Sequence, residues 1–83
     1  TGSGLKCYVC EELLDSSCGA TYNGTTLTDC GNLLPNRACV TITESISGFT
    51  SRLCGISGQC ALTIGATYCQ TCSVDGCNDS IPS

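Results

Sequence analysis

Hydrophobic and polar positions alternate over short stretches of the chain, and Gly, Thr, Ser or Cys interrupts every helical stripe within a turn or two. Residues 5–10, "LKCYVC", read as a short strand that carries Tyr8 and Val9. Residues 25–30, "TTLTDC", read as a return strand rich in β-branched residues. The pattern predicts an all-β protein built from short strands.

The clearest hairpin is predicted within "ACVTITESISGFTSRLC", residues 38–54. Val40 and Ile42 alternate with threonines, a Ser/Gly turn follows at residues 45–48, and the period of two then resumes. A shorter hairpin is predicted over residues 60–69, where Gly65 would open a tight type II′ turn. With a small loop near the end of the chain, the pattern gives three hairpin-like units attached to a cluster of cysteines.

Ten cysteines in 83 residues place the chain among small secreted scaffolds rather than ordinary intracellular domains. One domain is expected. Leu, Ile, Val and Phe make up only about a fifth of the residues, so burial alone would barely offset the entropy of ordering the chain. Covalent bridges, each contributing about 2–4 kcal/mol, are therefore expected to dominate the stability.

Two CxxC spacings, at Cys7 and Cys10 and at Cys69 and Cys72, raise three alternatives. Redox chemistry needs an exposed thiolate at a helix start, which nothing here predicts. Zinc needs paired CxxC motifs much closer in sequence, and the chain has no histidine. Disulfides are favoured, but cysteine spacing alone leaves about 945 pairings open.

The net charge of −4, with three cations in all, excludes a basic stripe for phosphate contacts, so nucleic acid is not an expected partner. No apolar run approaches the length that spans a bilayer. An oxidised protein must have been exported, so the chain is expected to be a mature or trimmed form. Residues 1–4 are interpreted as a cloning scar or disordered end, residues 5–78 as the domain, and residues 79–83 as a tail.

The opening "LKCYVC", the order of the ten cysteines and the closing "CSVDGCN" resemble the lymphocyte-antigen-6/urokinase-receptor (LU) domains, which have the three-finger (snake-toxin-like) fold. The resemblance covers residues 5–78, and "CGATYNGTTLTDC" looks most like arthropod members. It implies a small all-β fold with five disulfides. The third finger, with eight residues between its cysteines, is short.

If the cysteines of this chain are matched to those of the LU domains in sequence order, the resemblance implies five disulfide bridges and one structural residue. Asn78 would be that residue, its side chain hydrogen-bonding backbone near the root of the fingers. The implied pairs are Cys7–Cys39, Cys10–Cys18, Cys30–Cys54, Cys60–Cys69 and Cys72–Cys77.

Catalysis is not expected, because there is no histidine and the carboxylates Glu11, Glu12 and Asp15 share one polar loop without a nucleophile or base. No cofactor or metal is expected either. Two N-glycosylation sequons occur, and the hypothesis is that Asn23 carries a glycan whereas Asn78 does not, because its structural role would bury it.

The tip of the second finger is the predicted partner-binding site. Ile46 and Phe49 would form an apolar centre, with Glu44 and Arg52 as a charged rim. Core and surface positions are equally compatible with Phe49. The pairs Leu13-Leu14 and Leu33-Leu34 cannot both point inward on a strand, so one member of each should be at the surface or in an irregular loop.

The expected function is that of a non-enzymatic, monomeric extracellular module that binds another protein. The resemblance implies a receptor or channel modulator or an adhesion protein, at the cell surface through a glycosylphosphatidylinositol anchor, or secreted. The C-terminal "NDSIPS" has the small residues of an attachment site without the hydrophobic tail. The alternatives are a carrier of a lipid or small apolar ligand, which would show an enclosed apolar pocket of a few hundred cubic ångströms, and a secreted toxin-like antagonist.

Overall fold

A computed structural model describes residues 4–22, 24, 26–31, 36–79 and 81. Asn23, the predicted glycosylation site, and the Leu33-Leu34 pair lie outside these residues. No helix among the described residues is long and apolar enough to cross a membrane. The elements, in chain order, are β1 (Lys6–Cys7), β2 (Cys10–Glu11), a single-turn 3-10 helix (Ser16–Cys18), β3 (Thr28–Asp29), β4 (Arg37–Glu44), β5 (Thr50–Ile56), α1 (Gln59–Leu62) and β6 (Ala66–Cys72).

The strands form two antiparallel sheets. β1 pairs with β3, and the larger sheet has the order β2-β5-β4-β6. Its centre is the predicted hairpin, in which β4 and β5 pair from Arg37↔Ile56 to Thr43↔Thr50. Gly48, with φ of +73°, lies in the turn, where a left-handed conformation favours glycine. The predicted class, a small all-β fold with disulfides, is confirmed.

The segment predicted as one strand, residues 5–10, is divided between the two sheets. Lys6 and Cys7 pair with β3, whereas Cys10 and Glu11 pair with β5. Tyr8 lies between them, and its backbone N–H and C=O are bonded to the side chain of Asn78 rather than to a strand. A side chain far along the sequence therefore takes the backbone groups that a continuous strand would have used.

The predicted hairpin over residues 60–69 is wrong. Residues 59–62 form one turn of helix, closed by Thr63, whose hydroxyl donates to the carbonyl of Gln59 at 2.9 Å. β6 pairs with β4 instead, in a register that includes Cys39↔Cys72 and Ile42↔Cys69. A long neighbouring strand offers more hydrogen bonds than a local return does, so residues 57–65, which include α1, connect β5 to β6.

Cystines supply much of the core. The buried apolar residues are Cys7, Cys18, Ala38, Cys39 and Val40, and Thr41, Thr50, Arg52 and Asn78 are buried with them. All ten cysteines are bridged, in the same five pairs that the LU resemblance implies: Cys7–Cys39, Cys10–Cys18, Cys30–Cys54, Cys60–Cys69 and Cys72–Cys77. So few apolar residues could not hold a fold of this size alone, and the bridges provide the rest of the stability.

The strand directions give the larger sheet two distinct ends. β2 and β4 finish at one end, where β5 and β6 begin. The opposite end carries Cys39, with Cys54 and Cys72 directly across from it on the two neighbouring strands. Loops therefore leave the sheet at one end, and disulfides fix the other.

Candidate interaction surface

Asn78 ties the end of the chain to the connection between β1 and β2. The Tyr8 N–H donates to Oδ1 of Asn78 at 3.0 Å, and Nδ2 of Asn78 donates to the Tyr8 carbonyl at 2.8 Å. A longer bond, 3.5 Å, runs from Nδ2 to the carbonyl of Val40. The side chain is buried and its polar atoms are engaged, which is the structural role that the resemblance implies.

Arg52 was predicted to lie in the exposed rim of the second finger, and this is wrong. The residue is only 1% exposed. Side chains alternate between the two faces of a strand, so Arg52 lies on the same face of β5 as buried Thr50, and Ser51 lies on the other face. The Arg52 side chain therefore points under the first loop rather than toward solvent. The alternation along β5 contained this signal.

The buried guanidinium of Arg52 connects three segments of the chain. Nη1 donates to the carbonyl of Cys18 at 3.0 Å, Nε to that of Asn78 at 3.0 Å, and Nη2 to that of Asp79 at 2.9 Å. The group also lies 4.5 Å from the ring centroid of Tyr22, a cation–π distance. Burial lowers the pKa of Arg52 by penalising the charged form, although guanidinium groups stay protonated in proteins. The guanidinium thus links β5 to the first loop and to residues 78–79, and we refer to this set of contacts as the Arg52 clamp.

The other three predicted contact residues are at the surface. Ile46 is fully exposed, at 100%, and Phe49 is 38% exposed, which settles the surface position for its ring. Glu44 is exposed and ends β4; its amide bonds to the Phe49 carbonyl at 3.0 Å, and its carboxylate accepts a bond from Ser47 at 3.5 Å. The turn thus presents an apolar centre with one carboxylate beside it.

Further exposed apolar side chains occur on the loops that flank this turn. On the β2 side, Leu13 and Leu14 form a turn directly after the strand, and both are exposed. On the β6 side, Ile64 is 97% exposed, one residue before Gly65. We refer to the five residues Leu13, Leu14, Ile46, Phe49 and Ile64 as the loop edge.

Backbone contacts join the loops that carry the loop edge. The amide of Glu12 donates to the carbonyl of Thr50 at 2.9 Å, linking the first loop to β5. The amide of Ser45 donates to the carbonyl of Gly65 at 2.8 Å, and its hydroxyl reaches the same oxygen at 2.8 Å. The three loops therefore leave the same end of one sheet.

Sequence reasoning missed Ile64, because it assigned this residue to a strand that does not form. It identified Leu13-Leu14 as adjacent apolar residues that cannot both point inward, but it did not locate them relative to the second finger. Only the register of the sheet, which brings residues 12, 50 and 45 to one end, shows that the three sets of side chains belong to the same edge.

The acidic segment of the first loop is locally ordered. Asp15 caps the 3-10 helix: its carboxylate accepts the hydroxyl of Ser17 at 2.7 Å and the amide of Ser17 at 3.1 Å. These two bonds, the hydroxyl bond first, lower the pKa of Asp15 from its usual value. The Glu12 carboxylate accepts the amide of Thr50 at 2.8 Å. Asp15 thus orders the first loop locally, and Glu12 joins that loop to β5.

Two other features of the described residues resemble binding sites, a group of cysteines and a small pocket. The sulfur atoms of Cys7, Cys30 and Cys54 lie within 4.8 Å of one another, but all three are in disulfides and offer no thiolate to a metal. A pocket of about 100 Å³ lies between β4, β6 and the end of the chain. Its lining, which includes Thr41, Gln70, Asn78 and Asp79, is largely polar.

Fold and site together define a small, disulfide-bonded, all-β domain that presents loops from one end of a sheet. The chain belongs to the family described as "Domain of unknown function (DUF753)", which it matches over residues 5–78. No curated protein and no solved structure matches the chain.

Proposed function

We propose that this chain is a non-enzymatic extracellular module that binds another protein through the turn between β4 and β5. The observation that carries the proposal is the complete exposure of Ile46, beside Phe49, on a hairpin held by a full ladder of backbone pairs. An apolar side chain that the fold leaves in water gains the most from burial against a partner. The rigid hairpin loses little conformational entropy when it binds.

An extracellular location is supported by the cysteines. Five disulfides persist in an oxidising compartment and are rare in the cytosol. The five pairs also agree with the resemblance to LU domains, which supports a role as a modulator of a receptor or channel or in cell adhesion. The same resemblance supports a glycosylphosphatidylinositol tether, with a secreted antagonist as the alternative.

A protein partner is favoured over an apolar small molecule by the shape of the described residues. Sites for drug-sized ligands are mainly apolar and enclose about 300–1,000 Å³. The pocket beside β6 has about 100 Å³ and a largely polar lining. The exposed aliphatic side chains lie instead on loops, where a flat partner surface can cover them.

The proposal is tested with a fluorescent tetramer of the oxidised chain on live cells of the organism that encodes it. Saturable binding is expected, and it should disappear when the cells are first treated with trypsin, because the receptor is a protein. The reduced and alkylated chain is the control and should not bind. Absence of saturable binding across the dissociated tissues, or binding that survives trypsin, would refute a protein partner.

A further inference from the structure

We infer that the loop edge as a whole is one contact surface, and that its partner is a protein with an apolar patch bordered by lysine or arginine side chains. The inference rests on the proposed function and extends it from one hairpin to three loops. It also specifies the charge of the partner.

The geometry makes a single surface of the loop edge. Neighbouring strands lie about 4.8 Å apart, so the four strands β2-β5-β4-β6 span about 14 Å at the end where the loops leave. The flanking loops are bonded to the central hairpin, through Glu12 to Thr50 on one side and through Ser45 to Gly65 on the other. A partner that covers Ile46 is therefore also within reach of Leu14 and Ile64.

Acidic residues flank the apolar side chains of the first loop and of the β4–β5 turn. Glu11 and Glu12 precede Leu13, and Asp15 follows Leu14. Glu44 ends β4 beside the turn that carries Ile46. Four of the seven acidic residues in the chain thus belong to the segments that form the loop edge.

The cations lie elsewhere. Arg52 is buried in the clamp described above. Arg37 begins β4, at the opposite end of the sheet, and Lys6 is in β1, in the other sheet. The loop edge is therefore apolar with a rim of one sign, and it is complementary to an apolar patch with a basic rim.

The negative charge beside the loop edge disfavours two other partners, a second copy of this chain and a membrane with anionic lipids. A second copy placed edge to edge would bring carboxylates against carboxylates, and like charges across an interface disfavour association. A membrane with anionic lipids presents the same repulsion, since its surface attracts basic segments. A protein surface with an apolar patch and a basic border is favoured in two ways, because it buries the aliphatic side chains of the loop edge and places its cations beside the carboxylates.

The first experiment uses two synthetic amphipathic peptides as probes, one with a leucine face flanked by lysines and its counterpart with glutamates in place of the lysines. Titration of the isotope-labelled protein by NMR should shift the amides of residues 13–14, 46–49 and 64 together with the lysine peptide. The glutamate peptide should bind about tenfold or more weakly, and added salt should reduce the difference. Equal binding of the two peptides would refute the basic partner.

Matched variants test whether the three loops act together. Ile64→Ser and Leu13→Ser should each weaken the lysine peptide by about tenfold, the loss expected for one buried aliphatic side chain. Val74→Ser is the control, because Val74 is 69% exposed, close to the 73% of Leu13, but lies in the loop after β6 at the disulfide end. If Val74→Ser weakens binding as much as Ile64→Ser does, the loop edge is not the contact surface.

Two further measurements separate the other occupants. Tighter binding to vesicles of phosphatidylcholine, with or without phosphatidylserine, than to the lysine peptide would overturn the proposal in favour of a lipid surface. Dimerisation seen by sedimentation and abolished by Ile64→Ser would overturn it in favour of a second copy. On cells, loss of tetramer binding with Ile46→Ser but not with Ile64→Ser or Leu13→Ser would refute the three-loop surface while the proposed function stands.

Discussion

Replacing Arg52 with methionine removes a buried guanidinium that joins the first loop, β5 and residues 78–79. The guanidinium donates to the carbonyls of Cys18, Asn78 and Asp79 and contacts the ring of Tyr22. Methionine is unbranched and matches the arginine side chain as far as Nε, so the packing of the aliphatic stem is largely kept while Cζ, Nη1 and Nη2 are removed. What is lost is the set of charge-assisted hydrogen bonds.

The expected cost follows from the acceptors left behind. A buried acceptor without a partner costs about 1–3 kcal/mol, and three carbonyls lose their donor here. The loss of the cation–π contact adds about 0.5–2 kcal/mol. Removal of the desolvation penalty of a buried cation offsets part of this, and water can reach the carbonyl of exposed Asp79. We therefore expect Arg52→Met to lower the free energy of unfolding by about 3 kcal/mol, or about 10–25 °C in Tm for a domain of this size.

Chemical denaturation with all disulfides intact measures this change, and hydrogen exchange locates it. Exchange should accelerate at the amide of Ile81, which is bonded to the carbonyl of Ala20 at 2.8 Å, before the β4–β5 ladder is affected. Lys6→Met is the matched control, because it removes the same charge from a half-buried side chain in β1 and should change stability by less than about 1 kcal/mol. If Arg52→Met is as stable as Lys6→Met, the hydrogen bonds of the guanidinium do not stabilise the fold.

Two more predictions concern polar groups at the root and the first loop. Asn78→Ala leaves the backbone N–H and C=O of Tyr8 without partners and should lower the free energy of unfolding by about 2–4 kcal/mol, as measured by denaturation. Mass analysis of the unmodified protein from insect cells should show no glycan on Asn78. A glycan there, or unchanged stability of the variant, would contradict the buried role of Asn78. The pKa of Asp15 is lower in the folded chain than in the unfolded chain, so its contribution to stability is complete above the usual carboxyl pKa, about 3.9, and is lost as the pH falls through the folded value. The NMR titration of the Ser17 amide should have its midpoint below that of a short peptide containing Asp15 and should vanish in Asp15→Asn; a midpoint at or above that of the peptide would show that the two bonds to Ser17 do not persist in solution.

The parts of the fold that depend on local pattern could be predicted from the sequence. The period of two across residues 38–54 identified the central hairpin, since alternation specifies both strands and the intervening turn. The cysteine content indicated a fold held by disulfides. The pairing of those cysteines, by contrast, came from resemblance, because spacing alone does not determine it.

The parts that depend on distant partners could not be predicted. The position of β6 was missed because its partner is β4, more than twenty residues away, rather than the adjacent segment. The period of two in β5 places Arg52 on the face opposite to Phe49, but the carbonyls that accept its hydrogen bonds, those of Cys18 and Asn78, are distant in sequence and could not be predicted. The loop edge likewise joins segments that are distant in sequence, so only the register of the sheet could assemble it.

The central proposal is that the chain recognises a protein through exposed aliphatic side chains at the loop end of its sheet. The most direct test is saturation binding of the fluorescent tetramer to live cells, in which the Ile46→Ser and Val74→Ser variants are compared. We expect Ile46→Ser to weaken binding by about tenfold or more, because the fully exposed side chain of Ile46 is buried in the complex, and Val74→Ser to bind like the unmodified chain. Equal binding by the two variants would contradict the account and move the contact surface away from the loops.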